Sequence, residues 1–117
     1  MSNFKYSVLI PCYRTDPVLL KRCLESITSQ NRSDVEIVLV EALLDGCSSY
    51  QKTAISDPLI HYYVSDRASA PYQRNMTLQK AQGDYLVFVD SDDYVSPRFF
   101  EFADKTLFAH FFRFLDF

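Results

Sequence analysis

Asp90, Asp92 and Asp93 bring three carboxylates into four residues, directly after the apolar run Tyr85-Leu86-Val87-Phe88-Val89. Negative charges this close repel one another unless something positive sits among them. A hard divalent cation such as magnesium or manganese takes oxygen ligands of this kind. Aspartate clusters are also common in solvated loops and at helix starts, and a lone Asp-x-Asp has many false positives. The rest of the chain has to decide between the two readings.

An apolar run bounded by Gly83 and a polar cluster reads as a buried strand of a parallel sheet. Its carboxyl end would carry the aspartates to the rim where open α/β sheets hold their ligands. The elements upstream agree with such a sheet. Tyr6-Ser7-Val8-Leu9-Ile10 reads as a first strand stopped by Pro11. Asp16-Pro17 reads as an N-cap followed by proline at the first helical position. The next helix places Leu20, Cys23, Leu24 and Ile27 on one face and ends near Gln30-Asn31. Val35 to Val40, rich in β-branched residues, is a second strand that ends at Glu41. Strand, helix and strand in this order make a right-handed parallel βαβ unit. Asp45-Gly46 marks a turn, Ser49 to Ile55 a short helix and Leu59 to Val64 a third strand. Ala70-Pro71 opens a helix running to Gln82, with Gly83 as a left-handed C-terminal residue. The expected fold is α/β: an open, mostly parallel sheet with helices on both faces.

Composition narrows the function classes. One domain accounts for 117 residues, and 48% apolar and 15% aromatic content can build a real core. A net charge of −3 with no basic run argues against a nucleic-acid partner. No transmembrane segment and no signal peptide are read, which makes the cytoplasm, or the inner face of its membrane, the expected location. Cys12, Cys23 and Cys47 share no metal-type spacing, so Cys12 and Cys23 are expected as buried thiols. His61 and His110 pair with no nucleophile nearby and read as structural or surface residues. With only Gly46 and Gly83 present, there is neither a G-x-G-x-x-G fingerprint nor a P-loop. A bound phosphate would have to be neutralised by side chains or a metal.

Ser96-Pro97 repeats the cap-and-proline signature and opens a helical tail over residues 96–117. Eight of the ten phenylalanines lie between Phe99 and Phe117, more than one helix face can bury. The tail is expected either to pack on a second copy, making a homo-oligomer through residues 99–117, or to face further polypeptide.

Taken in order, these segments resemble the nucleotide-binding half of a family 2 glycosyltransferase with the GT-A fold. The match runs through Tyr6-Ser7-Val8-Leu9-Ile10-Pro11-Cys12-Tyr13, through Leu24-Glu25-Ser26-Ile27-Thr28-Ser29-Gln30, through Glu36-Ile37-Val38-Leu39-Val40 and through Gln73-Arg74-Asn75. It is closest at Ala81-Gln82-Gly83-Asp84-Tyr85-Leu86-Val87-Phe88-Val89-Asp90-Ser91-Asp92-Asp93. The resemblance implies a nucleoside diphosphate sugar, usually a uridine one, with Mn2+ or Mg2+ as cofactor, in polysaccharide biosynthesis. It implies a metal held by Asp92 with Asp90 or Asp93, and nucleotide contacts from Pro11, Tyr13, Arg14, Glu41, Arg74, Asp90 and Ser91. Glu41 would accept a hydrogen bond from the base.

The chain departs from the family in three places. The usual Asp-Asp-Gly-Ser after strand two is Glu41-Ala42-Leu43-Leu44-Asp45-Gly46-Cys47-Ser48 here. The Asn after the first-strand tyrosine is Arg14, and a glycine usual ahead of Arg-Asn is missing from Asp66-Arg67-Ala68-Ser69-Ala70. Family catalytic domains also continue into an acceptor-binding half that carries the catalytic base, and no residue here corresponds to that base. The alternative expectation is a non-catalytic nucleotide-sugar-binding or assembly module that dimerises through its aromatic tail. A signalling receiver would need an acidic pair where Pro11-Cys12-Tyr13-Arg14 stands. A haloacid-dehalogenase-like phosphatase would want Thr or Val in place of Tyr94.

Overall fold

A computed structural model describes the backbone of residues 3–115 and the side chains of residues 3–107. The expectations placed on Phe108, His110, Phe111, Phe112, Phe114 and Phe117 fall outside the described side chains. In chain order the elements are β1 (Tyr6–Cys12), α1 (Pro17–Thr28), β2 (Val35–Ala42), α2 (Ser49–Thr53), β3 (Ile60–Ser65), α3 (Ala70–Lys80), β4 (Tyr85–Phe88) and α4 (Phe99–Leu115). The four strands form one sheet in the order β3-β2-β1-β4, and every pairing is parallel. The open parallel sheet expected from the sequence is what forms.

Alternation along the central strands explains the two covered faces, because successive side chains point to opposite sides. Tyr6, Val8, Ile10, Ile37 and Leu39 pack with Leu20, Cys23, Leu24 and Ile27 of α1 and Phe100 of α4. Leu9, Val38 and Val40 form a smaller cluster on the other side with Met76 of α3. The α1 stripe is the one that the helical spacing predicts, and Asp16 caps the helix by accepting from the backbone N–H of Val18 at 2.9 Å.

Four expectations need correction. Pro11 does not stop β1, which runs on to Cys12. Carbonyls of Lys5 and Leu9 accept from Tyr85 and Val89, so by alternation Pro11 faces the β4 side, past the last paired residue of that strand. Its missing N–H therefore forfeits no ladder bond. Gly83 is not left-handed; the positive-φ glycine is Gly46. Gly83 is instead required by close approach, since a Cβ there would lie 2.6 Å from the Ser7 backbone nitrogen. The third correction concerns β4, which is an edge strand rather than a buried one. Tyr85, Leu86 and Phe88 are all exposed, because among the described residues only β1 pairs with it. Finally, α4 starts at Phe99 rather than at Ser96-Pro97. Within it Phe100 is fully buried and Phe102 is exposed.

α4 is tied to the sheet by one carboxylate. Asp104 accepts from Lys5 Nζ at 2.7 Å, from the Tyr6 hydroxyl at 2.6 Å and from Arg32 at 2.9 Å. Partial burial raises its pKa, but the bonds from Arg32, Lys5 and Tyr6 outweigh this and hold it well below the usual carboxylate range. A carboxyl with a depressed folded pKa stabilises the fold above its unfolded value of 3.8. That stability is lost as pH falls below it. Thermal melts should therefore fall more steeply below pH 4 for the native chain than for Asp104→Asn. Parallel acid profiles for the two would show that Asp104 does not carry this dependence.

Candidate functional site

The carboxyl ends of β1 and β4 and the amino end of α3 meet around a cleft of about 420 Å³. Its lining includes Pro11, Tyr13 and Arg14 from the β1–α1 connection, Arg74 from α3, and Asp90, Ser91 and Asp92 beyond β4. Seven residues singled out in the sequence thus converge on one opening. The strands that deliver them are adjacent only because the chain crosses from β3 back to the far side of β1. The sheet order, not sequence proximity, makes the site.

Each wall has its own support. Gln73 is buried and donates to the carbonyls of Cys12 at 2.8 Å and Val40 at 3.1 Å, which fixes α3 against the ends of β1 and β2. Its neighbour Arg74 is exposed and lies 5.6 Å from the Phe88 ring centroid. Thr15 and Ser91 share a hydrogen bond of 2.6 Å, joining the first-strand loop to the acidic loop. Arg14 takes a left-handed backbone, φ 52°, and pairs with Asp45 at 3.3 Å. Asn favours that conformation more than Arg does, so the residue usual in the family is the one with less local strain.

The acidic residues divide. The N–H of Asp93 donates to the carbonyl of Asp90 at 2.9 Å, closing a turn that reverses the chain. Asp90 and Asp92 line the main cleft, whereas Asp93 lines only a neighbouring one with Phe88, Tyr94 and Phe99, which Asp90 borders as well. Among the described residues no three His, Cys, Asp or Glu side chains gather as a metal-holding group. The expected triple set of Asp90, Asp92 and Asp93 is therefore not assembled. Asp16 also lines the cleft, but it is engaged as the cap of α1. Asp90 and Asp92 are the acidic-loop carboxylates there, and no hydrogen bond among the described residues is donated to their side-chain oxygens. As hard, exposed oxygen donors they fit a divalent cation that completes its shell with a ligand's oxygens.

Glu41 also departs from expectation. It lies within β2, is 1% exposed and does not reach the cleft. One of its oxygens accepts from Ser48 at 2.6 Å and Tyr62 at 2.7 Å, and the other accepts from the Ser49 N–H at 2.7 Å. These bonds hold the start of α2 to the sheet and occupy the acceptor that a base would need. Burial, with Glu41 beside it, pushes the Tyr62 phenol up to about 12. Burial likewise pushes the Cys23 thiol up to about 12 and raises that of Cys12. Both stay protonated at neutral pH, as the reading of buried thiols requires.

The sequence reading missed Glu36. Fully buried, it accepts from Ser7 at 2.5 Å and from the Gln82 N–H at 2.6 Å, and it bonds His61 at 2.8 Å. It joins three strands and the approach to β4. A charged residue inside an otherwise apolar strand was the available signal.

Comparison with known proteins follows the same outline. The model for Glycosyl transferase family 2 matches residues 7–105. The uncharacterized glycosyltransferase EpsJ of Bacillus subtilis (strain 168) is 34% identical over 103 residues, covering 81% of this chain and 28% of that protein. The poly(ribitol-phosphate) beta-glucosyltransferase of Bacillus spizizenii is 35% identical over 99 residues, covering 78% and 15%. Among solved structures, S. aureus TarS 1–349 in complex with UDP superposes with a TM-score of 0.74 at 25% identity, covering 92% of this chain and 33% of the other. The mannosyltransferase PcManGT from Pyrobaculum calidifontis, in complex with GDP-Man and Mn2+, shares the fold with a TM-score of 0.68 at 24% identity, covering 80% and 29%. The chain spans a third or less of the length of each of these relatives. No helix among the described residues is long and apolar enough to cross a membrane. With its parallel sheet of the GT-A type and a family match over most of its length, this chain belongs to glycosyl transferase family 2.

Proposed function

We propose that this chain is the donor-binding part of a glycosyltransferase that takes a uridine diphosphate sugar together with a divalent cation. The observation that carries the reading is the convergence of Pro11, Tyr13, Arg14, Arg74, Asp90, Ser91 and Asp92 on one cleft. Asp90 and Asp92 would hold the cation, Mn2+ or Mg2+. When bound, such an ion neutralises a diphosphate and stabilises it as a leaving group. Arg74 adds a cationic donor from α3. The exposed Tyr13 ring, carried on the loop that Thr15 and Ser91 tie down, offers a flat surface to a base. The uridine assignment is supported by the UDP complex of the TarS structure, which superposes on most of this chain.

Isothermal titration of UDP and of GDP, each with Mn2+ and with EDTA, tests the proposal. UDP should bind about 100-fold more tightly with Mn2+, a difference of about 2.7 kcal/mol. Equal affinity for GDP would remove the uridine assignment, and heatless titrations throughout would remove the donor site itself.

A second reading, self-association through α4, is favoured by an apolar groove of about 410 Å³ between β4 and α4. Tyr85, Leu86, Phe99, Phe102 and Leu107 line it. A solution mass of one chain at micromolar concentration ends that reading.

A further inference from the structure

The acidic loop has few bonds of its own. Between β4 and α4 the internal backbone bonds are the Asp93-to-Asp90 turn and one from Phe99 to the carbonyl of Ser96. Apart from the Thr15–Ser91 hydrogen bond, what else fixes residues 90–97 comes from one side of α1 and the residues just after it. Arg22 donates to the carbonyl of Asp92 at 3.1 Å, and its guanidinium lies 4.5 Å from the Tyr94 ring centroid. The Cys23 thiol faces the carbonyl of Asp90 at 3.6 Å. Ser26 accepts from the N–H of Val95 at 3.2 Å. Gln30 donates to the carbonyl of Ser96 at 2.9 Å and accepts from the N–H of Phe100 at 3.3 Å, so it also serves the open amino end of α4.

Positions 22, 23, 26 and 30 recur at three- and four-residue spacing, which places them along one side of a helix. Five backbone groups of residues 90–100 hang on that side. The Leu-x-Ser-x-x-x-Gln pattern of the sequence thus has a physical reading: its Ser and Gln face the loop, not the core. From this we infer that Ser26 and Gln30 are positioning residues for Asp90 and Asp92, and that α1 sets how the two carboxylates are presented to a cation. The inference rests on the donor-binding reading above. A misplacement of about 1 Å in a binding constellation is enough to weaken it substantially.

The test uses UDP titration with Mn2+ and with EDTA on the native polypeptide and on the variants Ser26→Ala, Ser26→Thr and Gln30→Ala. Melting temperatures are read alongside. Ser26→Ala and Gln30→Ala should lose about tenfold in the Mn2+-dependent part of UDP affinity and leave the EDTA value unchanged. Ser26→Thr keeps the hydroxyl, and Ser26 borders an open cleft between α1 and residues 94–97 that has room for a methyl group; it should restore the native value. This rescue separates positioning from a general loss of stability, and the serine pair carries the test if Gln30→Ala does not fold. Native Mn2+-dependent affinity in both alanine variants overturns the role of α1 while the donor reading stands. Absence of Mn2+-dependent affinity in the native chain overturns both.

Discussion

Asp92→Ala should abolish the Mn2+-dependent component of UDP binding, with a loss of about 100-fold, or about 2.7 kcal/mol. The expectation is large because Asp92 is one of the two acidic-loop carboxylates at the cleft, the third carboxylate there, Asp16, being engaged as the cap of α1. Removing one leaves a cation with a single protein ligand, facing a diphosphate it can no longer anchor. Asp93→Ala is the informative control. The three aspartates look equivalent in the sequence, yet Asp93 lies on the far side of the Asp90–Asp93 turn and lines a different cleft. Its removal should change UDP affinity by less than about threefold, under 1 kcal/mol. Equal losses in the two variants would show that the turn opens when the cation binds. No loss in Asp92→Ala would remove the metal role from this loop.

Glu36→Ala should cost about 3–5 kcal/mol of stability, the range for breaking a buried polar cluster by removing one partner. Three donors converge on this carboxyl: the Ser7 hydroxyl, the Gln82 N–H and the His61 ring nitrogen. Truncation leaves them without this acceptor, and the Ser7 hydroxyl, fully buried, is left without a partner from water. It also opens a cavity between the central strands. For a chain of this size, each kcal/mol lowers the melting temperature by about 4–8 °C, so the variant should melt at least about 12 °C below the native chain. Glu36→Gln keeps the shape but turns an amide N–H2 toward at least one donor, and should lie between the two. A Glu36→Ala melt within a few degrees of native would show that water or a local shift replaces the carboxyl.

Asp104 acts at a different level. Asp104 and its partner Lys5 are both partly exposed, so solvent screens that ion pair, and the contribution of Asp104 is seen in acid rather than as a large loss at neutral pH.

The local elements were legible in the sequence for plain physical reasons. The 3.6-residue stripe of α1 and the Asp16-Pro17 start depend only on near neighbours along the chain, and the structure reproduces both. Continuous β-branched and apolar runs require burial on two faces, and β1 and β2 have it. Residue type alone also carried the family pattern, and with it most of the cleft. What failed depended on who sits next to whom across the sheet. β4 has the composition of an interior strand, but the order β3-β2-β1-β4 puts it at an edge. Gly83 has the position of a helix cap, but its need is the backbone of β1 packed against it.

Glu41 and Glu36 show the same division. Each is an acidic residue in a strand, and nothing in sequence order says that one will be spent on α2 and Tyr62 and the other on Ser7, Gln82 and His61. By itself the sequence determined the chemistry available: hard oxygen donors after an apolar run, arginines near them, and no glycine-rich cradle. Only the tertiary structure decided which of those donors share a cleft. The turn at Asp90–Asp93 and the grip of α1 act over distances in space that the order of residues along the chain does not encode.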